Sequence, residues 1–249
     1  MAEVVLIPGS FLAAKVWEPV QDALTAHGIQ ASAVELTGLG DRHNEEATLD
    51  AHVRDVVEAM EATQGPTLLV AHSYAGVPAA LAVARLPQKA REKVSTILLG
   101  ANLPVAGRSI FDDFGRGAAY LRKLSLKFDG LAIPVLTRTQ LDGWGDHGLE
   151  GELLAQFKAV TSPHPIATYE DTADPSFTWA AFVTPPTFVD LRRDTLKVPS
   201  VALELMDIVS LDAGHWPMIT APGKLANLII ERSLVTDAAG MVADGRLVD

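Results

Sequence analysis

The sequence predicts an α/β protein: a mostly parallel sheet of about six strands, flanked by helices and interrupted by a mainly helical insertion. Three observations predict it. Short apolar runs each stop at a Gly, a Pro or a small polar residue, the first of these runs are separated by segments of helical periodicity, and the alternation breaks off after Pro104 and resumes at Thr187. A run that is apolar at nearly every position marks a strand buried on both faces. Strands alternating with helices are the grammar of parallel βαβ units.

The elements follow in order. Val4-Val5-Leu6-Ile7 is the first strand, stopped by Pro8-Gly9, and Val16, Val20 and Leu24 at steps of four mark a helix. Ala33-Val34-Glu35-Leu36 reads as the second strand, ending at Thr37-Gly38-Leu39-Gly40, and Leu49, Val53, Val56, Val57 and Met60 as the second helix. The third strand, Thr67 to Ala71, ends at His72-Ser73 and leads into an Ala-rich helix from Val77 to Leu86; the fourth, Thr96 to Leu99, ends at Gly100. From Val105 to about Pro186 come a helix-like stretch (Ala118 to Leu126), several Pro and Gly breaks, and the segments Trp144 to His147 and Pro163 to Tyr169. This predicts a cap, 105–186, over a core made of 1–104 and 187–249. Thr187 to Leu191 and Ile208 to Leu211 resume the strands, Leu225, Leu228 and Ile229 mark a closing helix, and the polar, Gly-containing tail after Val235 is expected to be loosely held.

Composition removes several classes of function. The 249 residues, 48% hydrophobic and 20% charged, suffice for a large core. Absence of Cys excludes a disulfide framework, a thiolate nucleophile and Cys-ligated zinc or iron–sulfur sites. Thirty-one acidic against 20 basic residues, a net charge of -11, is the wrong sign for a nucleic-acid partner. No apolar run approaches the roughly 18 residues needed to span a bilayer, and Met1-Ala2-Glu3 lacks the basic start of a signal peptide. The expectation is a cytoplasmic protein with a small-molecule partner and no membrane, with homodimerisation left open.

Ala71-His72-Ser73-Tyr74-Ala75-Gly76 lies where a buried strand meets a helix. Such a turn can expose a Ser hydroxyl when the positions two before and two after are small; here they are Ala71 and Ala75. The bland alternative for Ser73 is a helix cap. A Ser nucleophile needs a His to take its proton and a carboxylate to orient that His. Asp212-Ala213-Gly214-His215-Trp216-Pro217 follows the last predicted strand, which favours His215 over the other histidines. His72 adjoins Ser73 and must point elsewhere, His27 and His52 read as surface or packing residues, and His43, His147 and His164 precede the acid. Asp194, just past the Thr187–Leu191 strand, is the favoured acid by order, with Asp190 the alternative and an exposed turn paired to Arg192 or Arg193 the bland reading. Acyl transfer also needs N–H donors from the residue after the nucleophile and from the loop after the first strand. Those are Tyr74 and Ser10, with Gly9 letting the backbone turn.

With these residues in view, the chain resembles an α/β-hydrolase of the branch that contains plant methylesterases, hydroxynitrile lyases and bacterial esterase-like relatives. The resemblance runs through VLIPGSFLAAKVW (Val5–Trp17), TGLGDRH (Thr37–His43), LDAHVRDVV (Leu49–Val57), AHSYAG, SPHPIATY (Ser162–Tyr169), FVDLRRDTLKVP (Phe188–Pro199) and DAGHWPM (Asp212–Met218). In that branch the acid stands five residues before a Pro, which implies Asp194. The elbow departs from the branch in having Ala for Gly, and the segment from Pro199 to Ile208 is short, so a truncated helix is expected there. Lyases of the branch carry Thr at the position of Gly9 and Lys directly after the His, where this chain has Trp216. The resemblance therefore implies a serine-dependent, cofactor-free and metal-free carboxylic ester or lactone hydrolase. The alternatives are a lyase or cofactor-free oxygenase on the same fold, or a small-molecule binding protein with weak residual hydrolysis. Gly9 is expected to leave empty space through which water reaches the acyl-enzyme, and Trp144 from the cap, with Trp216 from below, is expected to line an apolar pocket, local core being the competing reading.

Overall fold

The computed structural model describes residues 2–196 and 198–243. Six strands form one sheet: β1 (Glu3–Ile7), β2 (Ala31–Ala33), β3 (Thr67–His72), β4 (Val94–Leu99), and, after a short antiparallel ribbon of β5 (Ala132–Ile133) with β6 (His164–Pro165), β7 (Thr187–Leu191) and β8 (Asp207–Leu211). The order across the sheet is β2-β1-β3-β4-β7-β8, and every neighbouring pair is parallel.

Alternation of side chains along each strand gives the sheet two apolar faces. Val4, Leu6, Leu68, Val70, Ile97 and Leu99 pack on one face with Trp17, Val20 and Leu24 and with Leu225 and Ile229 of the helix Pro222–Ala243. Val5, Ile7, Leu69, Ala71 and Leu98 pack on the other with Val53, Val56 and Met60 of the helix Leu49–Glu61 and with Ala79 and Leu81 of the helix Gly76–Arg85. Each large aliphatic side chain so buried contributes about 1.5–3 kcal/mol. The Leu49–Glu61 helix starts where Thr48 accepts a hydrogen bond from the Ala51 N–H at 3.1 Å, satisfying one of its orphan donors.

Between β4 and β7, residues 105–186 add the β5/β6 ribbon and short helices, including Arg116–Ser125 and Gly151–Ala159, but no strand of the main sheet. This segment is tied to the loop after β1: Ala13 N–H donates to the Val160 carbonyl at 2.9 Å and Ser162 N–H to that of Phe11 at 2.8 Å. Among the described residues no helix is long and apolar enough to cross a membrane.

Two expectations need correction. The second strand is Ala31–Ala33, not Ala33–Leu36. Past Val34, whose N–H still reaches the Leu6 carbonyl at 2.9 Å, the chain leaves the ladder. There Glu35 binds the Ala14 N–H at 3.2 Å and Arg42 binds the Glu35 carbonyl at 3.1 Å, so this apolar run is an anchored loop. The tail after Val235 continues the last helix to Ala243, and the remainder of the tail lies outside the described residues. Helix propagation adds one backbone bond per residue fixed, which outweighs the isolated cost of Gly240.

Candidate active site

Parallel strands bring the residues that follow them to one edge of the sheet, where α/β folds hold their ligands. The loops after β1, β3, β7 and β8 carry Ser10, Ser73, Asp194 and His215 to that edge. Ser73 adopts φ +53°, a left-handed conformation that costs a non-Gly residue about 1–3 kcal/mol and is held only where its surroundings demand it. Its carbonyl accepts from the Asn102 N–H at 2.9 Å. One step on, Gly76 permits the close approach of helix and β4 loop, because a Cβ there would stand 2.3 Å from the Asn102 carbonyl oxygen. Ala71 and Ala75, two before and two after Ser73, are both fully buried.

Ser73 Oγ lies 3.0 Å from His215 Nε2, and His215 Nδ1 lies 2.5 Å from Asp194 Oδ2. The Asp194 side chain is 1% exposed, and its other oxygen accepts from the Leu196 N–H at 3.0 Å. A carboxylate only accepts, so Nδ1 carries the imidazole proton and Nε2 is left to accept from the Ser73 hydroxyl. The truncated helix is present as Ser200–Leu205. It does not displace Asp194, because the turn before it is tied to the His loop by Arg192 N–H to the Leu211 carbonyl (3.0 Å) and Arg193 N–H to that of Ala213 (3.1 Å). Arg193 faces Asp146 and Asp212 at 3.3 and 3.5 Å, not Asp194. Asp190 makes no bond to His215 and lines, with Asp194, a cleft of 340 Å³. A larger groove of 690 Å³, walled by Phe177, Trp179 and Phe182, contains none of Ser73, Asp194 and His215.

Four residues of this site were not assigned a role from sequence. His72 points away from Ser73 and donates from Nε2 to the His215 carbonyl at 2.7 Å, anchoring the His loop. His52 donates from Nε2 to the Thr37 carbonyl and accepts at Nδ1 from the Tyr74 hydroxyl, each at 2.7 Å, which pins the residue after Ser73. His164 accepts the Phe11 N–H at Nδ1 (3.2 Å) and donates from Nε2 to Thr168 (2.9 Å), pinning the turn that presents Ser10; Phe11 itself stands at φ +69°. Tyr169 is bonded through its phenol to the Ser10 hydroxyl. One signal was available: His52 sits three residues after Leu49 and four before Val56, on the buried face of its helix.

Burial drives all three histidines below the ordinary imidazole range, with neighbouring His215 lowering His72 further and His52 lowering His164. The unfolded chain thus binds protons that the folded one refuses. The associated stability is complete above about pH 6.5 and is lost as pH falls from there toward the depressed folded values. Urea midpoints should accordingly drop between pH 7.5 and pH 5.5; a midpoint constant over that range would contradict neutral burial of these rings.

Gly9 and Trp216 are more tightly packed than an open pocket would have them. The space at Gly9 is filled, since a Cβ would stand 2.7 Å from His72 Nδ1 and 3.0 Å from Ser73 Cβ. Gly9→Thr should cost about 1–3 kcal/mol by overpacking, read as a lowered urea midpoint; an unchanged midpoint would show that His72 can yield. Trp216 is 4% exposed and packs edge-on against His215, His147 and Phe157, within the core. Trp144 is half-buried and lies over His215, with ring centroids 4.3 Å apart and the ring planes tilted by 30°. Among the described residues no three His, Asp or Glu side chains are placed to hold a metal ion.

An edge of parallel strands carrying a Ser–His–Asp hydrogen-bonded chain is the arrangement of a hydrolase. Residues 4–228 match the model of the alpha/beta hydrolase family, and the chain belongs to that family. It is 26% identical over 245 residues, 92% of this chain and 96% of its relative, to a probable hydrolase, R7, of a Phoma species. It is 30% identical over 110 residues, 42% of this chain and 40% of the relative, to the esterase PIR7B of Oryza sativa subsp. japonica. Among solved structures, an extracellular alpha/beta-hydrolase from a Paenibacillus species superposes with a TM-score of 0.81 at 18% identity, covering 93% of this chain and 98% of that one. That protein is described as sharing structural and functional homology with tobacco salicylic acid binding protein 2.

Proposed function

We propose that the protein hydrolyses carboxylic esters or lactones through an acyl-Ser73 intermediate. The observation that carries this reading is the continuous chain from Ser73 Oγ through His215 to buried Asp194. In the first half-reaction His215 Nε2 takes the Ser73 proton as Oγ adds to the acyl carbon, and the N–H groups of Ser10 and Tyr74 receive the oxyanion. Collapse breaks the ester bond, and the proton passes from Nε2 to the departing alcohol. In the second, Nε2 takes a proton from water, the hydroxide oxygen adds to the same carbon, and Ser73 leaves with that proton as the acid is released. Asp194 holds the tautomer throughout and stabilises the imidazolium.

The surroundings support hydrolysis over cyanohydrin cleavage. The residue after His215 is a buried Trp without charge, and Gly9 brings no hydroxyl, so neither position supplies the cation or the hydroxyl that cyanohydrin cleavage would use there. Tyr74, Phe111, Phe114 and Tyr169 form an aromatic cluster behind Ser10, and Trp144 lies over His215, so the surroundings of the Ser–His pair are apolar on both sides. The test is a panel of aryl and alkyl esters and lactones, with a serine-directed phosphonate and mandelonitrile alongside. Ester or lactone turnover abolished by phosphonate attached to Ser73 is expected. Ready cleavage of mandelonitrile with no hydrolysis of any ester or lactone would overturn the reading.

A further inference from the structure

The bond between Ser10 and Tyr169 leaves one hydrogen over. Two hydroxyls carry two hydrogens, and the bond between them uses one. Among the described residues neither hydroxyl has another hydrogen-bond partner. Burial decides which hydrogen is free. Tyr169 is 5% exposed and enclosed by the rings of Tyr74, Phe111, Phe114 and His164, at centroid distances of 5.4, 5.5, 5.9 and 4.9 Å. His164 cannot accept from it, because Nδ1 already receives the Phe11 N–H and Nε2 donates to Thr168. A phenol hydrogen turned into that cage would be unsatisfied, at a cost of about 1–3 kcal/mol. The phenol therefore donates to Ser10 Oγ, and the free hydrogen belongs to Ser10, which is partly exposed.

Ser10 follows Gly9, whose Cβ position would stand 3.0 Å from Ser73 Cβ. Its hydroxyl and its N–H are on one residue at that edge and can converge on one acceptor. We propose that the Ser10 hydroxyl, held in donor orientation by Tyr169, is a third donor to the oxyanion formed on Ser73. This rests on the acyl-Ser73 reading. Ser10 is on this view a catalytic residue by its side chain as well as its backbone, and Tyr169 a positioning residue that acts through it. The phenol also withdraws electron density from Ser10 Oγ–H by donating to that oxygen, which strengthens the outward bond.

The experiment compares Ser10→Ala, Ser10→Thr, Tyr169→Phe and the double variant Ser10→Ala/Tyr169→Phe. It reads kcat and KM on an aryl ester and the affinity of an aryl trifluoromethyl ketone, which adds to Ser73 and places its oxygen in the same hole. Ser10→Ala should lower kcat and weaken the ketone in parallel, each by about 100-fold, with KM little changed. Ser10→Thr should retain most of both. Tyr169→Phe should cost about tenfold in the parent and nothing further in the Ser10→Ala background, the mark of residues acting as a unit. Thermal melts separate unfolding from lost donation, and Tyr169→Phe alone still decides the matter if Ser10→Ala does not fold. Additive effects of the two changes, a ketone affinity indifferent to Ser10, or Ser10→Thr as impaired as Ser10→Ala would overturn the proposal. Should the parent bind the ketone at Ser73 yet hydrolyse no ester, the hydrolase reading falls, while the ratio of ketone affinities still decides the third donor.

Discussion

Ser73→Ala should abolish ester turnover by three to six orders of magnitude, about 10³ to 10⁶ in kcat, while leaving the melting temperature within a few degrees of the parent. The loss is large because His215 then has no hydroxyl to deprotonate, and only backbone donors and binding remain. The fold is spared because Ser73 already bears the cost of φ +53°, and Ala bears the same cost. Ser73→Gly separates the two contributions. Gly adopts positive φ freely, so this variant should be equally inactive but more stable by about 1 kcal/mol. Chemical denaturation of the three proteins measures both effects. Retained turnover in either variant, or phosphonate attached to another Ser in the parent, would remove Ser73 from the mechanism.

How much of this was legible in the sequence depended on the kind of signal. Strands buried on both faces announce themselves as apolar runs with abrupt stops, so Thr187–Leu191 in the structure has the predicted bounds and β1, β3, β4 and β8 differ by one or two residues. The Ala33–Leu36 run failed because an anchored loop can be as apolar as a strand: what holds it are Glu35 and Arg42 contacts made at a distance in sequence. Chain order pointed to Ser73, Asp194 and His215, and the structure brings those three within hydrogen-bond reach. Periodicity and order are blind to buried polar pairs across the fold. The bonds Tyr74 to His52, Phe11 to His164 and Ser10 to Tyr169 join residues 22, 153 and 159 positions apart. Gly9 was misjudged for a related reason. A missing side chain in sequence looks like space, whereas here the ring of His72 occupies it.

Asp194→Asn should lower kcat on an ester by about 10⁴-fold, and Asp190→Asn by less than about twofold, the range of a change away from the reacting groups. The amide is nearly the size of the carboxylate and can still accept the Leu196 N–H through its oxygen. Its NH₂ group then faces His215 Nδ1. A donor meeting Nδ1–H is repelled, so the imidazole shifts its proton to Nε2 and confronts the Ser73 hydroxyl with a hydrogen where a lone pair is needed. Base function is lost with little loss of packing, so the defect should appear in kcat, with melting temperature nearly unchanged. Asp190→Asn serves as the control because it removes a carboxylate from the same 340 Å³ cleft without touching His215. If Asp190→Asn proved the more damaging change, the acid that orients His215 during turnover would be Asp190, and the 2.5 Å contact to Asp194 would belong only to the resting arrangement.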